Sequence, residues 1–247
     1  MGNNDFFYKQ EKDQLNLSWK AVVTGNKNYL IYNDENGAVN IFSLKNNRNI
    51  KIDSHSSIIK MHPKYVNIFI LAEGNTARLF EIDKNNFVCK EKSKIRGYSN
   101  KIKIIEFSKD DDKIFATYFS DMSLKIWRLD QAFCLCNILL LNEISTFQIY
   151  KNNIFYFDEK NCDVVSYDYK TYKEFKYDYI KEDDFIVLNE DIIAVIKKNN
   201  ILVKYTGHDI KEISLSQNVI LEMFYDENLN YLYAFSPSEI IVIDIKK

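Results

Sequence analysis

The side chains able to do covalent or metal chemistry are few and scattered. The three histidines are His55, His62 and His208. A nucleophile needs a base within hydrogen-bond reach, and nothing brackets these histidines with Ser or Cys in a catalytic pattern. There is no nucleophile elbow, phosphate loop or dinucleotide fingerprint, and six glycines leave little material for one. The four cysteines are Cys89, Cys134, Cys136 and Cys162. Cys134-Leu-Cys136 places two thiols on one face of a strand, but zinc needs two further ligands, and Cys89 is the one conceivable neighbour. The acid runs Asp110–Asp112 and Glu182–Asp184 lack calcium-loop spacing. No catalytic, cofactor-binding or metal-binding residue is therefore expected, and no cofactor.

One stretch has chemistry of another kind. Between 90 and 103, Lys90, Lys92, Lys94, Arg96, Lys101 and Lys103 face a single acid, Glu91, with Tyr98 among them. Such a patch attracts an acidic peptide, an anionic lipid head or a phosphate backbone. The chain has only four arginines, Arg48, Arg78, Arg96 and Arg128, so its other 29 cations are lysines. Bidentate phosphate recognition favours arginine, which weakens the phosphate readings. Lys92, Lys94, Arg96, Tyr98 and Lys101 are the candidate partner-binding residues.

The elements that carry these residues repeat. Period-2 runs recur at Val39–Leu44, Ala77–Ile82, Leu124–Leu129, Val164–Tyr169, Leu202–Thr206 and Ile240–Ile245. Each has a bulky residue at one phase: Phe42, Phe80, Trp127, Tyr167, Tyr205 and Ile243. The intervals are 38, 47, 40, 38 and 38, the long one holding the lysine-rich insertion. Two further apolar runs precede each bulky residue, as Ile102–Phe107 and Ile114–Phe119 precede Trp127. A fourth can be read after each of them, as at Asn49–Ile52, Phe87–Lys90, Glu174–Tyr177 and Ile210–Leu215. Four short antiparallel strands per ~40 residues is the period of a propeller blade. The predicted fold is all-β: a β-propeller of about six four-stranded blades.

The unit Lys103–Leu129 resembles a WD40 repeat. It keeps Phe107-Ser108 and Asp110 in the turn after its first strand, Asp121 six residues before Trp127, and Gly97-Tyr98 where the family has Gly-His. The resemblance implies a hydrogen-bonded structural group drawn from Tyr98, Asp121, Thr117 or Ser120, and Trp127. Tyrosine in place of histidine departs from the family pattern. The other units keep the periodicity without the signature, with Phe42-Ser43, Phe80-Glu81, Tyr167-Asp168, Tyr205-Thr206 and Ile243-Asp244 at its place. Gly207-His208 falls out of phase. The resemblance covers about residues 18–247.

The last unit ends at its third strand, so an N-terminal arm over residues 1–17 is expected to supply the missing strand from Asp5–Gln10. A disordered tail followed by a charged linker, Lys9 to Gln14, and an open ring that takes a blade from a partner are the other possibilities. With 33 basic and 35 acidic residues the net charge is −2, which excludes holding nucleic acid by bulk charge. No apolar run is long enough to span a bilayer, and the N-terminus lacks a secretory pattern. The thiols point to the cytoplasm or nucleus. The expected function is a non-catalytic protein–protein interaction scaffold, a WD40-like subunit of a larger assembly binding through its loop face. Binding of anionic lipid or nucleic acid through residues 90–103 is the alternative, and a propeller enzyme the least favoured.

Overall fold

The computed structural model describes residues 21–23, 28–96, 100–131, 133–161, 163–177, 185–189, 192–197, 200–205, 211–214, 220, 222–226 and 229–245. The arm at 1–17, Tyr98, Cys162, the acids at 182–184 and His208 lie outside them. The described residues form 23 strands and no helix, arranged as six antiparallel meanders. They fall into two compact units, residues 1–107 with 112–140, and residues 108–111 with 141–247.

The first unit holds three four-stranded sheets. The first runs β1 (Ala21–Val23), β2 (Tyr29–Asn33), β3 (Ala38–Ser43), β4 (Arg48–His55). The second runs β5 (Ile58–Met61), β6 (Ile68–Glu73), β7 (Thr76–Asp83), β8 (Val88–Arg96). The third runs β9 (Ile102–Phe107), β10 (Ile114–Phe119), β11 (Ser123–Arg128), β12 (Phe133–Leu139). Middle strands have neighbours on both faces, so they read as near-continuous apolar runs; every residue of β10 is buried. Phe69 stacks on Phe80 at 5.4 Å in the core shared by the first and second sheets. Phe115 stacks on Trp127 at 6.5 Å in the core shared by the second and third. Outer strands alternate with solvent, as β12 does.

The second unit repeats the plan. Its sheets are β13 (Ile144–Tyr150) to β16 (Lys173–Tyr177) through β14 (Asn153–Asp158) and β15 (Asp163–Asp168), then β17 (Phe185–Asn189) to β20 (Lys211–Ser214) through β18 (Ile192–Lys197) and β19 (Asn200–Tyr205). The last has three strands, β21 (Glu222–Asp226), β22 (Tyr231–Phe235) and β23 (Ile240–Asp244). Gln148 on β13 clamps β17, its amide donating to the Phe185 carbonyl at 2.6 Å and accepting from the Val187 N–H at 3.1 Å.

With so few glycines, tight turns are made by other residues. Asn47, Phe87, Met122, Lys151, Tyr172 and Asn230 all have φ between 50° and 62°. Gly37 (φ 79°) is required on a second count, because a Cβ there would stand 2.8 Å from the His55 Nδ1.

One strand departs from expectation. β8 runs to Arg96, so the first half of the lysine-rich insertion is strand rather than loop. It is an outer strand, wet on much of its surface, and its hydrogen bonds to β7 leave little apolar periodicity to read.

Candidate partner-binding site

The lysine-rich segment is the outermost strand of its sheet. β8 pairs with β7 over its whole length, but the register slips between Leu79 and Phe80. Ser93 pairs with Leu79 and Glu91 with Phe80, so Lys92 is an extra residue in a β-bulge. The bulge breaks the simple alternation of positions 90, 92, 94 and 96. Lys94 lies opposite Arg78 and Arg96 opposite Thr76. Lys90 lies opposite Glu81, whose carboxylate takes the Lys92 ammonium at 3.1 Å. Lys90 and Lys92 therefore belong to the Leu79 side of the sheet, and Lys94 and Arg96 to the Phe80 side. On the latter, Arg78 lies over the Phe80 ring at 5.6 Å and pairs with Glu91 at 3.7 Å. Lys94 and Arg96 are exposed and make no salt bridge among the described residues.

The remaining candidates lie further on. Lys101 is exposed just before β9, and its backbone is tied to Ser120: the Lys101 N–H donates to Ser120 Oγ at 3.1 Å, and the Ser120 N–H to the Lys101 carbonyl at 2.8 Å. Lys103 sets its ammonium 6.0 Å from the centre of the buried Tyr118 ring. In the third sheet the Trp127 indole N–H donates to Thr117 Oγ1 at 2.8 Å, both buried. Asp121 accepts from the Ser123 hydroxyl at 2.6 Å and the Asn100 amide at 2.6 Å. Burial alone would raise the Asp121 pKa, but the Ser123 hydroxyl and N–H hold it below the usual carboxylate value.

A recess that the sequence does not announce lies on the Leu79 side. It measures about 250 Å³ between the second and third sheets. Ile68, Leu79 and Leu129 line it together with Lys92 and Ser93 of β8, Glu81 of β7, and Tyr65, Asp112, Lys113 and Asp130. The Tyr65–Asp112 part of the lining is braced. The buried His62 uses both ring nitrogens: Nδ1 accepts from the Lys64 and Tyr65 N–H groups at 3.0 Å each, and Nε2 lies 2.8 Å from the Asp112 carbonyl. The ring is therefore assigned as neutral, with its proton on Nε2. The Tyr65 hydroxyl and the Lys64 ammonium, the latter at 3.2 Å, hold the Asp112 carboxyl below its usual range. A cavity made by two sheets meeting has no local signature; the one hint available was the density of lysines beside it.

The other chemical candidates come apart. A second bulge, between Ile126 and Trp127, sets Cys134 opposite Trp127 and Cys136 opposite Ile126. Neighbouring residues on a strand face opposite sides, so the two thiols do not share a face, contrary to the spacing argument. Burial pushes the Cys89 thiol up to about 12 and raises Cys134 and Cys136 as well, which keeps all three protonated. Among the described residues no group of three or more His, Cys, Asp or Glu could hold a metal ion. Glu106, on the first strand of the third sheet, is held by Lys60 at 2.6 Å.

Six consecutive antiparallel meanders, packed face to face within each unit, define the β-propeller fold. The chain is similar to the solved structure of U3-55K, a WD40 β-propeller, at 10% identity and a TM-score of 0.62, over 93% of this chain and 78% of that one. That likeness shows the fold alone. In all, 1537 solved chains match, so the fold is widespread and function must be argued from the surface. No family model and no curated protein matches the sequence. No helix among the described residues is long and apolar enough to cross a membrane.

Proposed function

We propose that this propeller is a non-catalytic interaction scaffold, a WD40-like subunit of a larger assembly, and that it holds an acidic surface of a protein partner along β8. The observation that carries the reading is the cationic outer strand. Lys90, Lys92, Lys94 and Arg96, all exposed, stand on a nine-residue outer strand with Glu91 as its one acid. Lysines and a bulge on an outer strand also discourage strand addition, which favours side-chain contact with an acidic partner over pairing through the backbone. The long side chains of Lys94 and Arg96, without salt bridges among the described residues, cost little to bring to a carboxylate. The engagement of Glu106 by Lys60, and the want of a nucleophile–base pair among the described residues, support a scaffold over an enzyme.

The test is affinity capture from extract with mass spectrometry, using wild type and Lys92→Glu/Lys94→Glu/Arg96→Glu. A stoichiometric protein partner that the triple variant loses, with an unchanged melting temperature, is the expected result. Retained affinity would move the contact elsewhere. Capture of RNA or of anionic vesicles with no protein partner would replace the reading with the lipid or nucleic-acid one.

A further inference from the structure

We propose that the Phe80 side of the second sheet's outer edge is a docking track for an extended acidic segment of the partner, with carboxylates at alternate residues, read by Lys94, Arg96 and Arg78. The inference rests on the scaffold reading and deepens it, naming the side of β8 that binds and the spacing it selects. The bulge at Lys92 sorts the cations. Across β7 and β8, the Leu79 side carries Lys90 and Lys92 with Glu81 and Asp83, two cations to two acids. The Phe80 side carries Arg78, Lys94 and Arg96 with Glu91, three cations to one acid. Glu91 is committed to Arg78 at 3.7 Å, and among the described residues no ion pair or hydrogen bond engages the Lys94 or Arg96 side chain. Glu73 of β6 lies on the same side, one strand further in across Thr76, and pairs with neither.

That surplus works against the folded sheet. Lys94 lies directly opposite Arg78, and like charges facing each other across a ladder are destabilising. A carboxylate brought beside them offsets the repulsion. The spacing follows from strand geometry. Lys94 and Arg96 are two residues apart, about 7 Å along the strand. In an extended partner segment alternate side chains share one side at the same interval, so Glu-x-Glu presents both carboxylates to the track and Glu-Glu presents one. A bilayer or a nucleic acid offers anions over a broad front. This surplus is one narrow row on a chain of net charge −2, which suits a single file of carboxylates.

The test reads fluorescence anisotropy with the full chain and two fluorescein-labelled eight-residue peptides of equal charge. One alternates Glu and Ser. The other repeats Glu-Glu-Ser-Ser, which contains no Glu-x-Glu. Wild type should bind the alternating peptide tighter by roughly threefold or more. Lys94→Gln/Arg96→Gln should weaken that peptide about fivefold more than Lys90→Gln/Lys92→Gln, which removes the same charge from the other side. Lys94→Gln alone should leave the melting temperature level or higher, because it removes a charge facing Arg78. A lower one would make Lys94 part of the fold and overturn the assignment. Equal binding of the two peptides to wild type overturns the track's spacing, and equal losses in the two double variants overturn its side. Either result leaves the cationic contact of β8 standing. Failure of both peptides to bind overturns the scaffold reading of β8 itself. The peptide comparison runs on wild type, so a variant that misfolds does not spoil the test.

Discussion

The outer edges of the second and last sheets solve one problem in opposite ways. β8 presents its edge with a cation at every second residue from Lys90 to Arg96 and a bulge in its middle. β23 presents Ile-Ile-Val-Ile-Asp with neither device. In the first four sheets the third strand is largely buried under a fourth. In the last sheet the third strand is the outermost described, and Ile240 and Val242 are 62% and 54% exposed. Val242 continues a row across the sheet from Phe224 and Tyr233, whose rings lie 6.2 Å apart. A guarded edge can remain in water and select charged company. An apolar unguarded edge is one that a further strand should cover.

Deleting residues 1–12 breaks this comparison most directly. If the N-terminal arm supplies the fourth strand beside β23, the truncated chain should melt several degrees lower, since each kcal/mol is about 2–4 °C at this size. Its light scattering should rise as Ile240 and Val242 lose their cover. An unchanged melting temperature would show that the arm does not serve β23.

Next in size is the polar staple of the third sheet. Trp127→Phe removes the donor to the fully buried Thr117 Oγ1 and should cost about 2 kcal/mol in urea unfolding. At the matching phase the last sheet has Ile243, with no polar atom, and Ile243→Val should cost about 1 kcal/mol from lost packing alone. Equal losses would mean the indole hydrogen bond adds nothing beyond volume.

A pH-dependent loss should be confined to the second and third sheets, where His62 sits. Burial holds the His62 pKa below its ordinary 6.5, against the opposing effect of the Asp112 carbonyl. The sign follows. Above 6.5 the ring is neutral folded and unfolded, so its contribution is intact. As pH falls through 6.5 the unfolded chain takes up the proton first, and stability declines until the folded value is reached. Lys64, Tyr65 and Asp112 are the charged and titratable groups facing it, and Phe107 packs on the ring. His62→Asn should flatten this limb of the unfolding midpoint against pH. An unchanged slope would place the acid sensitivity on the carboxylates.

The repeat made the fold legible. Trp127 and its equivalents mark the third strands because those strands are sandwiched and must carry bulky apolar side chains. The outer strands were harder: β8 hid behind its lysines, and the bulge in β12 put its two thiols on different faces where spacing put them on one. Of the candidate site, the identity of the cations was readable and their arrangement was not. Residues 90–103 read as one cationic loop, whereas 90–96 form a strand in which a single inserted residue divides the cations between two sides. The recess and the His62 brace depend on two sheets meeting, which no local pattern encodes.

The smallest expected effects lie in the turns, and they separate the same two regions. Met122, in the turn between β10 and β11, holds φ at 62°, a conformation in which a side chain with a Cβ costs roughly 1–2 kcal/mol. Met122→Gly should relieve that strain and raise stability by up to about 1 kcal/mol, the gain being trimmed by the freedom glycine adds to the unfolded chain. Asn230, in the last sheet, has nearly the same φ, 58°, but asparagine tolerates it and its amide is in use. It donates to the Ile245 carbonyl at 2.7 Å and accepts from the Tyr225 hydroxyl at 2.6 Å. Asn230→Gly therefore gives up two hydrogen bonds for little relief and should lose about 1 kcal/mol. Opposite signs from one substitution type at one backbone angle, read as shifts in the urea midpoint, would show that the last sheet draws on side-chain bonds at its turn where the third sheet carries strain. If both variants gained stability, the Asn230 bonds would be too weak to help hold the β22 end of that sheet.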